Sequence, residues 1–173
     1  MSKARPSGAH GSRPLTPGEQ TLARSVFADS IDYAAVRIHH RNFVFWQGAN
    51  YIITPNGHIY LGRKLRGLAD FSAAGLAMQG LFIHEMAHVW QHQQGVNVLL
   101  RGGLEQVWHF CGFNQYRYQL EAGKALGQYK LEQQGEILRH YFLAQHGQAT
   151  PYSRAEYLAA LGGKAGSQGP TIV

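Results

Sequence analysis

The chain has 173 residues, 45% of them hydrophobic, with a formal net charge of +6, ten histidines and one cysteine. That length and apolar content suffice for one sizeable core, and a lone cysteine excludes an internal disulfide framework or a thiolate metal cluster made by this chain alone. Leu81-Phe82-Ile83, the longest apolar run around the central motif, is far shorter than the ~20 residues of a membrane span, so no membrane insertion is expected. Cys111 has no motif around it and reads as a structural thiol. The basic residues are scattered and no recognition motif accompanies them, so nucleic acid is not an expected partner.

Residues 1–14 are rich in Ser, Gly, Pro and basic side chains and read as a flexible leader. They hold no apolar stretch of the kind a secretory signal needs. Thr16-Pro17-Gly18-Glu19 then has the pattern of a capping box with proline at the first helical position. It predicts a helix to about Ser30, with Leu22, Val26 and Phe27 on its inner face. From Tyr33 to Leu61, Ala35–Ile38, Phe43–Trp46, Tyr51–Ile53 and His58–Leu61 are β-branched and aromatic, which predicts a small antiparallel sheet. Asn56-Gly57 suits a hairpin turn between the last two runs.

The second half reads as helical. A helix is expected from Ser72 to Gln94, stopped by Gly95. Others follow at Leu104–Phe110 and Gln128–Gln145, and a last one after the capping box Ser153-Arg154-Ala155-Glu156. Residues 163–173 read as a loose tail, so a single α+β domain is expected over residues 15–162.

The chemistry concentrates in His84-Glu85-Met86-Ala87-His88. Residues four apart share a helix face, so His84 and His88 direct two imidazoles at one point, and Glu85 is displaced toward the neighbouring position. This is the spacing of a zinc hydrolase, with two histidine ligands and a carboxylate that serves the attacking water as general base. The surrounding helix is apolar, and polar groups buried there need partners.

A catalytic zinc takes a third protein ligand. Gln91 and Gln94 stand where the extended HExxHxxGxxH pattern requires Gly and His, which excludes that pattern. His92 continues the stripe, but three histidines on one straight helix span ~12 Å, so it flanks the ion. Glu132 is the better candidate, because it shares a helix face with Glu136. An acid at 136 can then orient a ligand histidine through its other ring nitrogen, the gluzincin arrangement. Glu121, Glu136 and His140 remain alternative ligands, and a solvent-facing Glu132/Glu136 pair is the other reading. Gly135, costly inside a helix, suggests close approach of the motif helix.

These residues resemble the zincin peptidase domain found at the C-terminus of some VgrG spike proteins of bacterial type VI secretion systems, and its free-standing relatives. The likeness rests on Ile83-His84-Glu85-Met86-Ala87-His88-Val89-Trp90-Gln91-His92-Gln93, on Gln115-Tyr116-Arg117-Tyr118 with Leu120, and on Leu131-Glu132-Gln133-Gln134. It covers roughly residues 15–160. It implies one Zn²⁺ per chain held by His84, His88 and Glu132. It also implies a chain made in the bacterial cytoplasm, delivered by the type VI system and active in a target cell's periplasm. A protein or peptide substrate, a secretion spike or adaptor and an immunity protein are the implied partners. Tyr116, Tyr118, His109 and His140 are candidate donors to the oxyanion that peptide hydrolysis develops. Two readings from other classes stand beside it: a zincin-like binding module without catalysis, and a cationic surface binder using Arg63, Lys64 and Arg66.

Overall fold

Thr16 caps the first helix as its spacing predicts. In the computed structural model, which describes residues 11–98 and 116–162, the Thr16 side chain accepts from the Glu19 backbone and opens α1, Pro17–Phe27. Glu19 has 0% exposure and does more than close the capping box. It takes both guanidinium nitrogens of Arg13, at 2.7 and 2.8 Å, and the backbone N–H groups of Thr16 and Phe71, each at 2.9 Å. A buried carboxylate survives only when paired this fully.

Arg13 is held in this way inside the segment read as leader. Residues 12–14 are in fact a strand, β1 (Ser12–Pro14), paired antiparallel to β2 (Arg37–His39). Strands β3 (Ile52–Ile53) and β4 (Ile59–Leu61) complete a sheet of order β1-β2-β4-β3. The sheet is mixed and not wholly antiparallel, because β2 and β4 run parallel. The chain leaves β2, passes to the outer edge to form β3, and returns inside it as β4.

Two other expectations change here. Phe43–Trp46 forms no strand: Gln47 folds its side chain back to accept from Phe43 N and donate to the carbonyls of Tyr51 and Tyr60. Those bonds hold the segment as a loop that leaves Phe45 90% and Trp46 70% exposed. The Asn56-Gly57 connection is longer than a two-residue turn, since Ile53 pairs with Tyr60, although Gly57 does take the positive φ of +77° that its type allows.

Helix α2, Leu76–Gln93, begins later than Ser72 because Asp70 captures both the N–H and hydroxyl of Ser72 in a local turn. From Phe82 to Gln91 every residue of α2 is buried, so it is the central helix of the domain. Its Phe82 ring stacks on Phe71 with centroids 4.9 Å apart, and the helix packs along α3, Leu131–Gln145, whose Ile137, Leu138, Tyr141 and Phe142 share one buried cluster with Ile38, Ile59 and Leu61 of the sheet. A 3₁₀ turn at Leu126–Gln128 precedes α3, which accounts for its start after Gln128. The short α4, Arg154–Ala160, opens on the expected Ser153–Glu156 capping box. The architecture is thus α+β, with four helices and a small sheet among the described residues. None of those helices is long and apolar enough to cross a membrane. The expected helix at 104–110, Cys111 and the tail at 163–173 lie outside the described residues.

Candidate metal centre

The two helices α2 and α3 face each other across Gly135. A Cβ built there would lie 2.8 Å from both Cε1 and Nδ1 of His84, so only glycine lets the imidazole lie against α3. Alanine is a better helix former than glycine by about 1 kcal/mol, but overpacking a buried site costs about 1–3 kcal/mol. Gly135→Ala is therefore expected to displace His84, lower the melting temperature and weaken metal uptake, all readable by calorimetry with and without added zinc.

His84 and His88 are 4% and 6% exposed. Their Nε2 atoms lie 3.2 Å apart, and the Glu132 carboxylate lies 3.1 Å from the first and 3.4 Å from the second. These are the three residues of the described chain whose ligand atoms converge closely enough to share a metal ion. Bonds of ~2.0–2.1 Å in a tetrahedron put neighbouring ligand atoms about 3.3–3.4 Å apart, and the observed separations, made to His84 through Oε2 of Glu132 and to His88 through its Oε1, are close to that spacing.

The proton inventory points the same way. Gln91 gives its amide hydrogens to the Leu131 carbonyl at 3.1 Å and to Gln134 Oε1 at 2.9 Å. Its oxygen is left for His88 Nδ1, at 2.8 Å. An amide oxygen only accepts, so His88 carries a proton on Nδ1, and in its neutral form Nε2 presents a lone pair. On His84, Nδ1 sits 3.0 Å from Glu136 Oε1, an ion-pair contact out of line for a hydrogen bond, and the nearby carboxylate favours the proton on Nδ1, which leaves Nε2 as the free face. Two lone pairs and a carboxylate aimed at one point are mutually repulsive unless a cation or protons lie between them, and the chemistry of this donor set fits zinc.

The titration behaviour agrees. Burial by itself would depress His84, but its contacts with Glu132 and Glu136 carry it up to about 10. His88 is likewise raised by Glu132 against burial, and Glu132 is held far below the usual carboxylate range by His88 and His84 although burial opposes this. Without metal His84 therefore holds a second proton near neutral pH, and a metal must displace it. Apparent zinc affinity is expected to rise with pH between 5 and 8, by about tenfold per unit for each proton displaced. Calorimetry in buffers of different ionisation enthalpy should register the released protons.

Glu85, 6% exposed, accepts a hydrogen bond of 2.6 Å from the Thr54 hydroxyl, just beyond β3. Among the described residues it stands outside the His84, His88 and Glu132 cluster. Glu136 lies between His84 and Arg139, whose Nη1 is 3.2 Å from Oε1. Among the described candidate donors, Tyr116 lies beside the cluster, its ring centroid 6.2 Å from that of His84. Burial and the carboxylates of Glu132, Glu85 and Glu136 push its phenol up to about 12, so it keeps its hydrogen at neutral pH.

Tyr118 and His140 are instead bonded to each other at 2.6 Å, with Tyr118 also 2.9 Å from the Tyr157 hydroxyl. They reach the cluster only through the other oxygen of Glu136, 3.7 Å from His140 Nε2. Glu121 is paired with Lys124 and takes no part in the triad, and His92 lies against Gly57 beyond it. His109 lies outside the described residues. Sequence reasoning missed Thr54, whose partner is 31 positions away, and Gln91, whose place three residues after His88 on one helix is a signal it offers.

The fold and the cluster together define an α+β domain with a candidate metal-binding centre between two packed helices. The chain is 54% identical over 148 residues to the type VI secretion system spike protein VgrG2b of Pseudomonas aeruginosa, a match that covers 84% of this chain and 14% of that protein. It thus spans about one seventh of the curated relative's length. Against the solved effector domain of Pseudomonas aeruginosa VgrG2b it superposes with a TM-score of 0.78 at 50% identity, covering 91% of this chain and 87% of that one. No protein-family model matches it. The chain belongs to the family of the VgrG2b effector domain.

Proposed function

We propose that the protein is a zinc-dependent metallopeptidase of the zincin type, acting as a type VI secretion effector on a protein or peptide in the periplasm of a target cell. The observation that carries this reading is the set of near-tetrahedral separations among His84 Nε2, His88 Nε2 and the Glu132 carboxylate, with Glu85 beside them and outside the triad. Membership of the VgrG2b effector-domain family supports the effector part.

Zinc in this centre would supply an acidified water and a Lewis acid for the scissile carbonyl. The chain's own groups do the rest. Glu85 takes the proton of the attacking water and passes it to the departing amine. The Thr54 hydroxyl occupies Glu85 Oε2, which fixes the carboxylate and leaves its other oxygen for the proton. Gln91 and Glu136 hold the two imidazoles in the orientation that presents Nε2. Tyr116, kept protonated, is the donor best placed for the developing oxyanion.

A spike or adaptor that carries the chain and an immunity protein that silences it are the partners this role requires. The direct test combines elemental analysis with toxicity. We expect about one zinc per chain, and killing when the protein is directed to the periplasm but not when it stays in the cytoplasm. Zinc below ~0.2 per chain with no uptake on titration would defeat the reading.

A further inference from the structure

Phe45 and Trp46 stand 90% and 70% exposed on adjoining positions, packed edge to face with ring centroids 4.5 Å apart. Such exposure of two large apolar rings needs a reason, and the loop beneath them is built to keep them there. Gln47 is 6% exposed and bonds to Phe43 N, Tyr51 O and Tyr60 O, while Asn42 donates to the Gln47 carbonyl. Phe43 anchors the near side of the loop against Tyr60, with centroids 5.0 Å apart. Tyr51, 67% exposed, closes the loop.

The surroundings are cationic. Between Asp32 and Asp70 the chain has no acidic residue, but it has Arg37, Arg41, Arg63, Lys64 and Arg66. Lys64 N bonds to Ala49 O and Gly62 N to Tyr51 O, so the turn bearing exposed Arg63 and Lys64 is laced to the base of the aromatic loop. Arg66 donates to Asn42 on the loop's other side.

We infer that this aromatic tip with its collar of arginine and lysine is a docking surface for an anionic lipid bilayer. Trp, Tyr and Phe favour the interfacial zone, where ring and polar edge are both accommodated. Basic side chains beside them add attraction to anionic headgroups. A peptide ligand is held in a groove or along a strand edge, and two rings 90% and 70% exposed at a loop tip form neither. Stacking of nucleic-acid bases calls for open ring faces in series, and two rings crossed at 86° do not form such a platform. Because β3 follows the loop directly and Thr54 beyond it touches Glu85, docking here brings the candidate metal centre close to the bilayer.

Co-sedimentation of the full chain with vesicles tests this. Vesicles of phosphatidylcholine and phosphatidylglycerol at 3:1 should bind it, and phosphatidylcholine alone should bind it weakly. Phe45→Ser with Trp46→Ser should cut the bound fraction at least about tenfold without moving the melting temperature, since both rings lie outside the core. Trp46→Phe should retain binding. Arg63→Gln with Lys64→Gln should weaken binding to the anionic vesicles by about fivefold per charge and leave phosphatidylcholine unaffected. The parent failing to sediment with anionic vesicles, or the double serine variant binding undiminished, would overturn the inference. So would capture of a single-stranded oligonucleotide or an acidic peptide through these residues by a protein that ignores vesicles. The inference stands apart from the peptidase reading, because Glu85→Ala and chelator-treated protein should bind vesicles like the parent.

Discussion

Glu85→Ala is expected to keep its zinc, keep its fold and lose activity by ~10²-fold or more, the usual contribution of a positioned general base. Alanine improves local helix propensity slightly, and neither His84 nor His88 bonds to Glu85 through its imidazole. The change does leave the Thr54 hydroxyl, buried at 4% exposure, without its acceptor. A stability loss of about 1–3 kcal/mol is therefore expected alongside the catalytic one, and a thermal melt separates the two. Toxicity in a target periplasm is the practical assay. A variant that holds zinc and kills as well as the parent would transfer the function from hydrolysis to binding, and a zincin-like module without catalysis would become the leading account.

Glu132→Ala is expected to lower zinc affinity well beyond the ~10–100-fold that removal of an outer orienting partner produces. Among the described residues it removes the one carboxylate within 3.4 Å of both Nε2 atoms. Glu136→Gln should fall inside that ~10–100-fold range, because its contact is with Nδ1 of His84 and not with the ligand face. Glu121→Ala should change nothing measurable, since Glu121 is exposed and paired with Lys124. Competition with a chromophoric chelator gives the four affinities. Glu121→Ala or His140→Ala costing more than Glu132→Ala would reassign the third ligand.

The readable parts of this chain were those fixed by local rules. Thr16–Glu19 and Ser153–Glu156 are capping boxes because four adjacent residues satisfy one another, whatever the remainder of the molecule does. The pairing of His84 with His88, and Glu132 with Glu136, follows from helical period alone, and Gly135 signalled the close approach that brings the two helices together. The misses arose where distant partners decide. Phe43–Trp46 has strand propensity, but one glutamine side chain claims the backbone groups a ladder would use. The parallel β2/β4 pair depends on a return path that no single run of sequence encodes. Arg13 looked like one more basic residue of a leader until its partner Glu19 proved to be fully buried.

That last pairing sets a boundary for transplanting the domain. Arg13 supplies both guanidinium bonds to Glu19, and Glu19 in turn anchors the Phe71 amide just ahead of α2. A join made downstream of Arg13 strips a buried carboxylate of its counter-charge and loosens the approach to the helix that bears His84 and His88. A carrier joined to the N-terminal side of this domain must therefore attach upstream of Ser12, so that β1 travels with the payload.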